Sequence, residues 1–237
     1  MTRLLLLTAL LILLTPAPVL GASNVEQLEA VANRYVATQR PGAQGPGPSD
    51  FSAAGFLREI EDKKGELEQL LAIDPQGLSL EQDIDRRLLI GITRSDIRTA
   101  QALRRWENDP GLYLPSTRLG QLLEPEQSAD GASPGSDLQI LLAALPGRLA
   151  HGRANLKNPP KRFTEAAIFQ AKASLKALRE WLASAGPMDD ETGGVTQRAQ
   201  EALQDYLAFL AGDLLARSHG DWALGRETYD FILQNRW

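Results

Sequence analysis

The residues of this 237-residue chain that could do chemistry are few. A hydrolytic metal site most simply sets two histidines one helical turn apart with a glutamate between them. Here the histidines are His151, in LAHGR, and His219, in RSHGD, far apart and without such a neighbour. Each is expected at a helix end or on the surface, where a cation suits the carbonyl dipole. The absence of cysteine excludes thiolate metal sites, cysteine nucleophiles and disulfides. Gly131-Ala132-Ser133-Pro134-Gly135 spells the G-x-S-x-G of serine hydrolases. The residue after that serine must donate an N–H to the oxyanion hole, and Pro134 has none, so the string reads as a surface turn. Asp189-Asp190-Glu191 reads as the dipole partner of a helix N-terminus. Asp83, Asp85, Arg86, Arg87, Arg94, Asp96, Arg98, Arg104 and Arg105 crowd one stretch. They could line a cleft, but a solvated face laced with ion pairs is the expectation. Residue chemistry therefore assigns no catalytic, cofactor-binding or metal-binding residue.

The elements that would position such groups are helices. Residues 78–115 read as one long central helix, opened by a Ser79/Gln82 capping box and closed by Asn108, Asp109 and Pro110. Leu80, Ile84, Leu88, Ile92, Ser95, Thr99, Leu103 and Trp106 recur on it at three- and four-residue steps, as a core-facing stripe would. Leu89, Ile90 and Ile97 fall outside that stripe, so cover on more than one side is expected.

Helices are also expected over 24–39, over 51–73 with Phe56, Leu57, Ile60, Leu67, Leu70 and Leu71, and briefly near 119–123. A second capping box, Ser136 and Gln139, would start a helix kinked at Pro146. Others follow over 163–185, 195–217 and 224–237. Three prolines and three glycines make 40–49 a flexible connection, and 124–134 is a polar surface loop. Trp106, Trp181, Trp222 and Trp237 sit near helix ends, as core anchors do. No stretch alternates at period two. The fold class is all-α: an irregular bundle of about seven to nine helices.

Residues 1–21 read as a secretory signal peptide, with Arg3 ahead of an uncharged apolar run from Leu4 to Leu14. That run is shorter than the roughly 20 residues needed to span a bilayer. Residues 22–50 would then be a first helix and connection, and 51–237 the helical domain. A net charge of −5 without a basic block excludes nucleic acid and anionic membranes as main partners. The expected address is periplasmic or secreted.

Three elements in register carry a resemblance: W-x-x-x-P-x-x-Y (Trp106, Pro110, Tyr113), N-L-x-x-P-P (Asn155, Leu156, Pro159, Pro160) and G-x-x-x-Y-x-x-x-L (Gly225, Tyr229, Leu233). With them the chain resembles the N-terminal part of the bacterial domain-of-unknown-function family 885, over most of its mature length. The resemblance implies a helical, often exported protein similar to zinc metallopeptidases, with an HExxH-type motif in a C-terminal half. No HExxH occurs here, so no catalytic or metal residue is carried over and zinc is expected only in that other half. The implied role is a scaffold, non-catalytic alone. The alternatives are one subunit of a split metallopeptidase and a helical peptide-binding module. The last helix, through Tyr229, Ile232, Leu233 and Trp237, is expected to seek a partner, either a C-terminal half or another copy.

Overall fold

In the computed structural model, residues 23–39, 50–123, 134–184 and 189–236 are described, and they are helical, with no strand among them. The all-α expectation holds. The apolar run and signal-peptide reading of 1–21, the connection 40–49, most of the 124–134 loop, Ser133 and Trp237 lie outside the described residues.

Local chemistry explains where the first helices start. Ser52 caps α2 (Ala53–Ala72) by accepting from Gly55 N at 3.0 Å, and follows α1 (Asn24–Gln39) in the chain. The Asp74 carboxylate accepts from Gln76 N in the turn that follows α2. The capping box then forms as expected at α3 (Leu80–Leu103): Ser79 N donates to Gln82 Oε1 at 2.9 Å and Gln82 N to Ser79 Oγ at 3.3 Å.

The single central helix does not hold to residue 108. It breaks at Arg104, whose φ of 43° is left-handed, and resumes as the single turn α4 (Arg105–Asn108). A left-handed non-glycine residue costs about 1–2 kcal/mol. The break is supported by Asn108 Nδ2 donating to the freed Leu103 carbonyl at 2.9 Å, and it carries Trp106 into the core.

The stripe drawn on α3 also needs correction. Its first three members are exposed, Leu80 at 77%, Ile84 at 54% and Leu88 at 49%. The buried face of that half carries Leu89 and Ile90, which join Leu28 and Val31 of α1 and Leu70 and Ile73 in a small core. Helical periodicity locates a stripe but does not say which neighbour covers it. Leu57 and Leu71 of α2 are likewise exposed.

The larger core is built by α5 (Ser116–Leu123), α6 (Pro134–Asn155), α7 (Lys161–Ser184) and α8 (Asp190–Phe209). Leu142, Leu145, Leu178, Leu203 and Tyr206 are fully buried there. Ala167, Ala171 and Ala199, also fully buried, let the helix backbones approach closely. Ser136 falls inside α6, which starts at Pro134, rather than ahead of it, and Gln139 Nε2 donates to Thr192 Oγ1 at 2.6 Å across to α8. α6 runs on through Pro146. α8 begins earlier than expected because Asp189 caps it, accepting from Thr192 N at 2.7 Å, with Asp190 and Glu191 in the first turn. It gives way at Leu210–Leu214 to a π-helical turn whose Leu210 and Leu214 are both buried. The last helix, α9 (Arg226–Arg236), packs along α3.

Candidate functional site

The first two sequence elements meet in space, while Gly225 and Tyr229 of the third line a cleft together with Pro160 of the second. Tyr113 closes the loop after α4: its hydroxyl donates to the Trp106 carbonyl at 2.7 Å, and its ring is fully buried. Asn155, at the end of α6, donates from Nδ2 to the Tyr113 hydroxyl at 3.0 Å and to the Phe51 carbonyl at 2.8 Å. Tyr206 reaches across from α8 to donate to the Pro110 carbonyl at 3.0 Å. Gly152 makes this possible, because a Cβ there would sit 2.8 Å from the Tyr113 ring and 3.0 Å from the Tyr206 hydroxyl. Arg148, one turn earlier, donates to the Leu112 carbonyl at 2.7 Å with its guanidinium 4.2 Å over the Phe51 ring.

A second set of contacts ties this knot to the segment 156–160. Glu107, which sequence reasoning passed over, is buried and accepts from Arg104 at 2.6 Å and Lys157 Nζ at 2.8 Å. Its only signal was a charge placed between Trp106 and Pro110. Arg217 donates to the Leu156 and Lys157 carbonyls. His219 N donates to Asn158 Oδ1 at 2.8 Å, and Gly220 N to the Pro159 carbonyl at 3.2 Å. Gly220 is obligatory, since a Cβ would lie 2.0 Å from the Asn158 carbonyl oxygen. Thr164 and Ser218 hydroxyls share a buried hydrogen bond of 2.8 Å beneath.

Burial sets the titration of the knot. It pushes the Tyr113 phenol up to about 12, the Asn155 hydrogen bond only partly offsetting it, and pushes Tyr206 higher still, with Tyr113 adding to the effect. Burial also lowers the Arg148 guanidinium to about 10. A tyrosine whose folded pKa exceeds its unfolded value near 10 stabilises the fold fully below pH 10 and loses that contribution as pH rises through 12. Tyr113 and Tyr206 should therefore ionise above the ordinary tyrosine range in a tyrosinate-absorbance titration. Tyr113→Phe should delete the step near 12. All tyrosines titrating together near pH 10 in the folded protein would contradict the burial argument.

Outside the knot lies a cleft of about 790 Å³ between Leu103 and Arg105, Pro160 and Phe163 at the start of α7, and Trp222 and Tyr229. Trp222 is 70% exposed, so it is no core anchor, unlike the buried Trp106. Arg105 faces its partner Asp109 at 2.6 Å, and most of the remaining wall is apolar. An apolar pocket with a few polar groups is the usual form of a small-ligand or peptide site.

Of the other charged residues of the central stretch, Asp83 pairs with Arg86 and Arg87, Asp96 with Lys63 and Arg236, and Arg98 with Glu227, while Asp85 and Arg94 are exposed. The ion-pair face is thus the better description, Arg105 being the member that reaches a cleft. His151 and His219 are both exposed. Among the described residues no three His, Cys, Asp or Glu side chains gather as a metal ion requires, so these residues do not fit a zinc site.

The family model of bacterial proteins of unknown function (DUF885) matches residues 47–236. No curated protein matches the chain. A solved structure from Shewanella oneidensis, described as that of a lipoprotein of unknown function, superposes with a TM-score of 0.64 at 18% identity. The match covers 82% of this chain and 38% of that one, and at this identity it speaks to the fold alone.

Proposed function

The chain belongs to this family of bacterial proteins of unknown function (DUF885), and from that premise we propose that it is a helical scaffold, non-catalytic by itself. In this reading it is the wall-forming portion of a zinc-metallopeptidase-like protein whose HExxH site is supplied by a C-terminal half. One observation carries the scaffold role. The signature residues Tyr113 and Asn155 spend their side-chain donors on backbone carbonyls and on one another, and the Leu156 carbonyl accepts from Arg217, as residues that hold loops in place do. The peptidase character rests on the resemblance. Partial coverage of the longer structural relative supports the scaffold as one part of a larger protein.

Export belongs to the same proposal, supported by Arg3 and the apolar run after it and by the relative's description as a lipoprotein. No helix among the described residues is long and apolar enough to cross a membrane. The apolar cleft beside Trp222 favours one alternative, a peptide-binding module.

A two-armed experiment on the purified full chain separates these readings. With added zinc, a peptide mixture should remain uncleaved; turnover that survives stringent purification and vanishes with a chelator would overturn the scaffold reading. In the second arm, immobilised chain that retains peptides, and loses them in Trp222→Ala, would favour the binding module.

A further inference from the structure

α3 carries one stripe along its length at three- and four-residue steps: Leu80, Ile84, Leu88, Gly91, Ser95 and Arg98. Its C-terminal half is covered by α9. Arg98 pairs with Glu227 at 2.8 Å and lies 6.0 Å over the Phe231 ring, while Gly91 meets the Asn235 backbone. These contacts run antiparallel, since moving along α9 from Glu227 to Asn235 moves back along α3 from Arg98 to Gly91. The N-terminal half of the same stripe is bare, its three aliphatic side chains exposed over about 12 Å of helix. Fraying does not explain this, because Leu89 and Ile90 on the other side of those turns are buried against α1 and α2.

The bare half is continuous with the α3–α9 interface and lies on the line that α9 points along. We propose that it seats an amphipathic helix following α9 end to end and antiparallel to α3, a segment that a longer protein such as the structural relative, matched over 38% of its chain, has the length to supply. Its aliphatic side chains, spaced three and four residues apart, cover Leu80, Ile84 and Leu88. Glu81 and Arg87 flank the stripe on opposite edges, so the seated helix carries a base towards Glu81 and an acid towards Arg87. This rests on the reading of the chain as the scaffold portion, but not on any zinc chemistry.

The chain has no cysteine, so one introduced thiol reports cover cleanly. Ile84→Cys, and Leu88→Cys as a second probe, are placed in the full chain. Each is compared with versions extended after Trp237 by a fourteen-residue helical segment, leucines facing the stripe in one and turned to the opposite face in the other. Maleimide labelling should slow at least about tenfold with the facing register, the factor for a stripe covered nine-tenths of the time, and stay unchanged with the turned one. Equal rates in the three chains would overturn the proposal. So would slow, concentration-dependent labelling of the unextended chain, which would assign the stripe to a second copy. A peptidase result of either sign leaves this outcome untouched.

Discussion

Tyr206→Ala lowers the unfolding free energy by about 3–5 kcal/mol, the range for emptying a buried aromatic site. The ring is fully buried at the centre of the main core, and its hydroxyl is the link from α8 to the Pro110 carbonyl. The cavity would open against Gly152, a position with no side chain to collapse into it. For a domain whose whole stability is roughly 5–15 kcal/mol, the variant is close to unfolding. Tyr206→Phe separates the two contributions. It keeps the ring and removes only the hydroxyl's hydrogen bond to the Pro110 carbonyl, a loss of about 0.5–1.5 kcal/mol. Urea denaturation followed by far-ultraviolet circular dichroism measures both. An alanine variant within about 1 kcal/mol of the parent would mean that α8 is not held through this ring.

Gly91→Val is expected to act on one helix and leave the rest folded. A Cβ at Gly91 would lie 1.9 Å from the Asn235 carbonyl oxygen and 3.1 Å from its carbon, so backbone rather than a yielding side chain stands in the way. Removing a helix-interior glycine stabilises α3 itself by a few tenths to about 1 kcal/mol, which opposes the clash. The clash wins at α9, because an isolated eleven-residue helix is marginal in water and depends on its docking. The Arg98–Glu227 and Arg236–Asp96 pairs would part with it, but pairs this exposed are each worth about 0–1 kcal/mol and cannot hold it in place. Hydrogen exchange should show residues 226–236 losing protection while α6 and α8 keep theirs. Unchanged protection over α9 would refute the close α3–α9 contact, and uniform loss everywhere would show that α9 is not a separable element.

Much of the fold was legible in the residues. The capping box at Ser79 and Gln82, the Asp-Pro-Gln-Gly turn and the stripes of α6, α7 and α8 are local features, set by hydrogen bonds and periodicity within a few residues. The same locality underlies the reading of Asp189-Asp190-Glu191 as a helix N-terminus, which Asp189 caps in α8. The three signature elements could also be named, yet nothing local said that the first two touch.

Tertiary structure decided what covers each stripe. A stripe on α3 has the same periodicity whether α9 lies on it, as at Gly91, or none of the described helices does, as at Leu80 and Ile84. It decided the break at Arg104 as well, because a left-handed arginine is unfavourable locally and is held by Asn108 and by the burial of Trp106. Glu107 is buried with Lys157, fifty residues later, returned to its side. The helices are thus determined by short-range propensity and pattern, while the knot, the cleft at Trp222 and the bare face of α3 arise from contacts between residues distant in the chain, which no local pattern encodes.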